Sequence, residues 1–536
     1  MKLSVITLVG RQKSTRKPLF ETRASGPRPA TIAIVAATTW TLTAPAAFAD
    51  AVTDWNQYAV EATKGYVGSE STGAGVTLDT NVGSHVEAVA ARAVFDAVNS
   101  IDHFSSGYYY YTASNSGSAP AAAVTAAHDA ILGEIPNPAT DSTADARWTS
   151  VRTWLDTQLS SDLTSLGVSS SDGGVAAGHA AAAAAIAARS IDGAAPTTTY
   201  GPQLTPTTNP GIGIWRQSNA GAPYVNPVTG APTGFDATGT VIQGKPGIDL
   251  NWRDVAPFSL TRQEVTILSR LLPLSPDVGS AEYEAEFDYA NKIGKDSSSV
   301  RTADQTAQAL FYKQDAEIFV NEAARIASAA RGLKLDQNAA LFALLDNAVA
   351  DARIGAWTSK YEQKFWRPVT SANANPDGSV TNDYVVFHPL AATPSHPSNT
   401  SGHSSTGASG SEILRAYFGD KIKPDGSSVA LGSLPWLTGT NNGTGNVTTR
   451  SVSTFTQVQL ETGASRLYLG VHYGYDNFQG QLIGLEVADS ILRSTDPAAV
   501  GLRIPDSRAS LFNLERTLLA RRDLYGFYGY DTRHRR

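Results

Sequence analysis

Apolar positions recur along most of this chain at steps of three and four residues, the spacing that puts them on one face of an α-helix. After Ser84, which reads as an N-cap, Val86, Val89, Ala90, Val94, Phe95 and Val98 share such a face. Similar patterns predict helices near 119–134, 142–166 and 174–191. The last holds six consecutive alanines, Ala180 to Ala185; alanine is the best helix former and lets helices approach closely, as in a packed bundle. Periodicity resumes at 261–274, 279–294, 301–332 and 336–366, and again at 402–418, 453–470 and 475–493. Within 301–332, Phe311, Phe319, Val320, Ala323, Ile326 and Ala327 lie on one side.

Between these segments the texture changes. Residues 193–258 are rich in Pro, Gly, Thr and Asn, as in the run from Thr205 to Gly211, with Trp215 and Trp252 scattered among them. This reads as a long connection, with room for a short hairpin, laid over a helical body and docked by its tryptophans. A Pro/Asn/Ser-rich passage covers 368–401, and a Gly/Asn/Thr loop covers 438–449. Alternating strands are few and no strand–helix repeat is found, so the class is all-α, built from helical bundles.

Composition narrows the chemistry. The chain has 536 residues, enough for a large core, and no cysteine, which excludes disulfides, thiolate metal sites and a cysteine nucleophile. Catalysis must come from nine histidines, carboxylates, Lys/Arg and hydroxyls. Residues 1–49 carry seven Lys/Arg and one acid; removing them from totals of 42 and 49 leaves 35 basic and 48 acidic residues, a net of −13. An acidic body of this kind repels nucleic acid and anionic membranes.

The basic start runs into an apolar stretch, Thr31 to Ala46, and then Ala47-Phe48-Ala49 before Asp50. This order reads as a signal peptide over residues 1–49, with export and a mature start at Asp50. A membrane anchor is opposed by the shortness of the stretch, its threonines and Pro45. The expected product is soluble and extracellular, with an N-terminal helical region over 50–260 and a C-terminal bundle over 261–536.

Three segments carry candidate chemistry. Lys360 and Arg367, seven apart on the 336–366 helix, would project in parallel before Pro368 ends it. In the run from Thr393 to Ser404, Ser401 can cap a helix beginning at Gly402. An anion there would meet backbone N–H groups and the positive end of the helix dipole, with His403 beside it to move a proton. His472 and Asp476 are four apart, within reach on one helical turn; an Asp accepting from Nδ1 leaves Nε2 free as ligand or nucleophile. Singly, the first and third read more simply as a solvated face and an ion pair, and the second equally as a capped helix. Gathered in one pocket, Lys360, Arg367 and Arg466 need a compensating anion, and a phosphate-like ion held by charge-assisted hydrogen bonds of about 1.5–3 kcal/mol each supplies it.

The patterns K-x6-RP, SGH and SR-x5-H-x3-D, in this order over 360–476, resemble the signature shared by vanadium-dependent haloperoxidases and the type 2 phosphatidic acid phosphatase (bacterial acid phosphatase) superfamily. The resemblance implies two helical bundles joined by the Pro/Gly-rich connection. It implies that Lys360, Arg367, Ser401, Gly402 and Arg466 hold vanadate oxygens and that His472 is the axial ligand of vanadium. By the same likeness His403 handles the proton of peroxide, Lys360 polarises a peroxide oxygen and Asp476 orients His472. Trp357 resembles the tryptophan flanking the haloperoxidase pocket. His396 stands where chloride-oxidising fungal members are aromatic and algal bromoperoxidases have histidine, which points to bromide over chloride. Thr400 departs from the proline usual before SGH but removes no ligand.

The activity so implied is a secreted haloperoxidase using hydrogen peroxide, a halide and a small organic substrate, with vanadate as cofactor and with neither nucleic acid nor membrane as partner. The alternative is a secreted acid phosphatase in which His472 attacks phosphorus and His403 protonates the leaving group. About 300 residues ahead of the motifs, with no transmembrane pattern, favour the longer haloperoxidase-like chain. A serine hydrolase fails because G-x-S-x-G would need glycine at 406, which is Thr406. A zinc site from His388, His396 and His403 matches no compact spacing. An extracellular protein that merely binds anions would need neither His403 nor His472. The only methionine is Met1, so the chain from Asp50 contains no sulfur, which fits exposure to peroxide and hypohalite.

Overall fold

The periodic apolar faces become helices, and their caps explain where each begins. In this computed structural model the described residues are 50–66, 76–194, 211–215, 247–270, 275–374, 387–432, 449–500 and 502. Among them are α1 (Ala51–Thr63), α2 (Thr80–Asp102), α3 (Ala119–Glu134), α4 (Trp148–Ser165) and α5 (Gly173–Arg189), followed by a 3₁₀ turn at Leu250–Asp254. Then come α6 (Arg262–Arg270), α7 (Ala281–Ile293), α8 (Ala303–Phe311), α9 (Ala316–Ala329), α10 (Leu335–Gln363) and α11 (Pro368–Ala372). The last three helices are α12 (Gly402–Phe418), α13 (Phe455–Tyr468) and α14 (Gly474–Leu492). Strands β1 (Val429–Leu431) and β2 (Arg450–Val452) pair antiparallel, Val429 opposite Val452.

The helices form two bundles sharing one long element. In the first, α2, α3 and α5 pack on one another with α1 against α3; in the second, α12 packs on α14, α13 and α9. The 29-residue α10 lies against α2 on one side and against α12 and α14 on the other. The alanine run does what its composition suggests: Ala181, Ala182 and Ala185 are fully buried. At Gly484 a Cβ would come within 2.2 Å of the Ser405 carbonyl, so α14 presses directly on the start of α12. That contact packs the middle of α14 on the first turns of α12, the helix that starts with Gly402 and His403.

Several boundaries differ from the sequence expectation. Asp79, not Ser84, caps α2 by accepting from the Asn81 amide at 3.0 Å, while Ser84 donates to the Asn81 carbonyl. A carboxylate at a helix start gains from the dipole as well as the hydrogen bond. The 142–166 helix starts only at Trp148, because Asp141 and Asp145 side chains bond the amides of Thr143 and Arg147 and hold turns instead. The 301–332 segment is two helices, α8 and α9, broken at Tyr312–Asp315; Phe311, Tyr312 and Phe319 cluster with centroids 4.8 Å apart around the break. Neither α1 nor the β1–β2 hairpin was expected.

Trp215 and Trp252 are buried, as expected of docked anchors in the connection. Residues 195–210 and 216–246 of that connection, the 1–49 segment and most of the 438–449 loop lie outside the described residues. Among the described residues no helix is long and apolar enough to cross a membrane.

Candidate active site

The site begins at the C-terminal end of α10. Lys360 and Arg367 do not share a continuous helix. α10 ends at Gln363, and Lys364 takes a left-handed φ of 51°. The chain then runs extended beside residues 213–215: Phe365 bridges to Ile214, the Trp215 amide donates to the Lys364 carbonyl at 2.6 Å, and Trp366 donates to Gly213 at 3.0 Å. Pro368 begins α11 instead of ending α10, at the first helical position where its missing N–H costs nothing. Arg367 nevertheless arrives in the pocket. Its Nε donates to the His396 carbonyl at 2.9 Å, Nη1 to the Val471 carbonyl at 2.6 Å and to His472 Nε2 at 3.0 Å, and Nη2 to His396 Nδ1 at 2.9 Å.

Lys360 is fully buried and its Nζ donates to the carbonyls of Pro397 and Ser398 at 2.9 and 3.0 Å. Burial, then the Arg367 charge, push its pKa well below the usual lysine range. Burial likewise holds Arg367 down to about 9. One turn back, the Trp357 ring lies 5.0 Å from the His396 ring, and Lys360 Nζ lies 5.5 Å from the indole. His396 Nδ1 also sits 3.2 Å from the Pro397 carbonyl. Since a guanidinium can only donate, Nδ1 is the acceptor for Arg367 and the His396 proton belongs on Nε2.

Ser401 is the N-cap of α12, accepting from the Ser404 amide at 3.3 Å. The first amides of the helix, at Gly402 and His403, are therefore free to meet an anion. A Cβ on Gly402 would fall 2.9 Å from Trp357 Cζ3, so glycine lets the indole pack on the helix start. His403, partly exposed, donates from Nε2 to the Gln314 carbonyl at 2.9 Å, which leaves Nδ1 unprotonated. Burial and the Arg466 charge hold its pKa well below the ordinary histidine value.

His472 and Asp476 pair, but not as neighbours within one helix. His472 precedes α14, whose N-cap is Tyr473, and Asp476 is the third helical residue. The Asp476 carboxylate reaches back in a capping box to the Tyr473 amide at 3.2 Å and accepts from His472 Nδ1 at 2.9 Å. Burial lifts this carboxyl to about 6 against the pull of the Ser398 hydrogen bond and of Lys360 and Arg367. Burial and the three neighbouring cations keep His472 neutral, its pKa well below the usual value, with its Nε2 lone pair turned to Arg367.

Arg466, in the last turn of α13, completes the set. It is 6% exposed, and its Nε and Nη1 have no hydrogen-bond partner among the described residues. Burial brings its pKa down to about 10. Three buried cations thus act on one neutral imidazole, Arg367 by direct contact with its Nε2 and Lys360 and Arg466 through their charge, with Asp476 as the carboxylate among them. This donor set fits a tetrahedral oxyanion such as vanadate or phosphate and does not fit a bare cation. Among the described residues no three or more His, Asp or Glu converge to hold a metal ion, so the zinc arrangement of His388, His396 and His403 is not formed.

Two residues that sequence reasoning missed belong here. Ser398, fully buried, donates its hydroxyl to Asp476 at 2.5 Å. Asp315, at the N-cap position of α9, opposes the depression of both Arg466 and His403, and is itself held ionised by Lys64 and Arg353 despite its burial. An Asp before an apolar periodic run is a readable cap signal, which could have divided the 301–332 segment and drawn attention to Asp315. Nothing local marks Ser398.

Fold and site together define an all-α, two-bundle protein with a buried, cationic oxyanion pocket. Residues 340–498 match the family described as the VCPO second helical-bundle domain. The chain is 26% identical over 278 residues to the vanadium chloroperoxidase of Curvularia inaequalis, a match covering 41% of this chain and 46% of that one. The match thus spans about half the length of that curated relative. Among solved structures, a bacterial vanadium-dependent iodoperoxidase superposes with a TM-score of 0.59 at 18% identity, covering 85% of this chain and 98% of its own. A holo bacterial vanadium-dependent chloroperoxidase gives 0.53 at 16% identity, covering 77% and 93%. Residues 340–498 thus carry the helical-bundle domain that this family model describes, and the fold of the chain is that of the vanadium haloperoxidases.

Proposed function

We propose that this protein is a vanadium-dependent haloperoxidase that uses hydrogen peroxide to oxidise halide, bromide in preference to chloride, and so halogenates a small organic compound. The observation that carries the reading is the buried Arg466, its Nε and Nη1 unbonded among the described residues, close enough with Lys360 and Arg367 for all three charges to act on His472. Lys360, Arg367, Arg466 and the amides at the start of α12 would hold vanadate, with His472 Nε2 as its protein ligand. Vanadate bound there supplies a Lewis acid that activates peroxide for two-electron oxidation of halide. Asp476 fixes the His472 tautomer so that Nε2 keeps its lone pair. His403, neutral and protonated on Nε2, presents Nδ1 to take a proton from incoming peroxide. Trp357 and His396 wall the pocket, with the His396 Nε2–H as a neutral donor.

Bromide rests on His396, the resemblance to algal bromoperoxidases, while the relatives named above are chloro- and iodoperoxidases. A second reading is favoured by the His472 lone pair itself, since the same nitrogen in the same cradle could attack phosphorus. Export with removal of residues 1–49 is part of the proposal and is checked by N-terminal sequencing of protein from the medium, which should begin at Asp50. The deciding assay runs purified protein with and without orthovanadate for bromination of a phenolic dye and for phosphomonoester hydrolysis. Bromination that depends on vanadate supports the proposal. Hydrolysis without any vanadate-dependent halogenation contradicts it and establishes the phosphatase.

A further inference from the structure

Ser398 is the point at which the walls of the pocket are tied to one another. Its backbone carbonyl accepts from Lys360 Nζ at 3.0 Å, its amide donates to the Phe365 carbonyl at 2.9 Å, and its hydroxyl donates to Asp476 Oδ2 at 2.5 Å. The same Oδ2 accepts from His472 Nδ1 at 2.9 Å and from the Tyr473 amide at 3.2 Å, whereas Asp476 Oδ1 has no hydrogen-bond partner among the described residues. One carboxylate oxygen thus takes every bond. With Oδ1 unheld, the plane of the carboxylate depends on how well Oδ2 is pinned.

We infer that Ser398 is a positioning residue that sets the orientation of the His472 imidazole through Asp476 while anchoring Lys360 on the opposite wall. Of the donors to Oδ2 among the described residues, Ser398 alone comes from outside the His472–Asp476 segment. Its hydroxyl therefore fixes that segment against the α10 side of the pocket. Without it, the carboxylate rotates toward Oδ1, the His472 ring follows, and Nε2 loses its alignment with the oxyanion. This inference rests on the oxyanion-binding reading above and holds equally for vanadate and phosphate.

The test is binding of orthovanadate by the purified full chain, followed calorimetrically and by vanadium NMR, so that turnover is not required. Ser398→Ala removes one hydroxyl without adding volume, and its urea midpoint and circular dichroism report whether the fold is kept. A lost charge-assisted hydrogen bond should weaken binding about 10-fold or more. Acting through Asp476, the same change in an Asp476→Asn background should add less than about 2-fold, a non-additivity that a purely structural defect would not give. The His472 ring nitrogen shifts should move in Ser398→Ala alone. Equal vanadate affinity in wild type and Ser398→Ala, or additive effects with Asp476→Asn, overturns the inference. Failure of the wild type to bind any oxyanion instead overturns the functional reading on which it rests. Should Ser398→Ala not fold, Ser398→Cys and Ser398→Gly put the same comparison to the test.

Discussion

Replacing Arg466 with methionine separates what this residue costs the fold from what it gives the site. Its guanidinium is almost completely buried, with two nitrogens unbonded among the described residues, and burial holds its pKa down to about 10. Because burial holds this group below the ordinary arginine range, the fold opposes its charge. Deleting one member of a buried ion pair usually strands the other. Asp315, the acid that acts on Arg466, would not be stranded: it keeps the Lys64 ammonium at 2.6 Å and the Thr80 hydroxyl. Methionine, flexible and apolar, fills most of the vacated volume. Arg466→Met should therefore be more stable than wild type by about 1–3 kcal/mol in oxyanion-free buffer, read from urea midpoints at constant slope. It should also bind orthovanadate roughly 10²–10⁴-fold more weakly, because two charge-assisted hydrogen bonds of about 1.5–3 kcal/mol each are lost. A variant destabilised by more than about 1 kcal/mol that still binds vanadate like wild type would refute the view that Arg466 is kept for an anion.

Other consequences are checked the same way. Gly402→Ala puts a Cβ 2.9 Å from Trp357 Cζ3; it should cost about 1–3 kcal/mol in stability and weaken vanadate binding as the α12 amides are displaced, and wild-type values for both contradict this packing. In His396→Phe the pH term is the informative one. Burial, Lys360 and Arg367 keep His396 neutral when folded, so between pH 7.5 and 5 only the unfolded wild-type chain takes up this proton. Wild type should then lose about 2 kcal/mol relative to the phenylalanine variant over that range, on top of a pH-independent loss of the Arg367 acceptor. No change in the stability difference between pH 7.5 and 5 would mean that His396 takes up its proton in the fold as readily as in the unfolded chain, and would contradict this reading. His472→Ala should abolish both vanadate binding and turnover, and surviving turnover refutes its role as the ligand.

The helical class and the order of the site motifs were legible because both depend on local spacing. The Ser401 cap and the 402–418 helix are local facts, and the structure has them at the expected residues. What escaped depends on contacts between distant parts of the chain. Residues 364–366 carry no breaker, and the helix stops because Lys364 and Trp366 bond to residues 213–215. The expectation of Lys360 and Arg367 on one face was therefore wrong in geometry, although both reach the pocket. The His472–Asp476 pair was legible from spacing, yet it forms through a capping box and not a helical turn. Ser398 lies 78 residues from Asp476, and no pattern in one sequence announces a pairing over that distance.

The central claim is that this pocket becomes a catalyst by taking up vanadate. Protein freed of vanadium, then titrated with orthovanadate, is assayed at each step for bromination of a phenolic dye in the presence of peroxide and bromide. The account predicts no halogenation at the start and a rate that rises with bound vanadium and saturates at a single vanadate per chain. A rate indifferent to vanadate, or no halogenation at any loading while phosphomonoesters are hydrolysed by the vanadate-free protein, would contradict it.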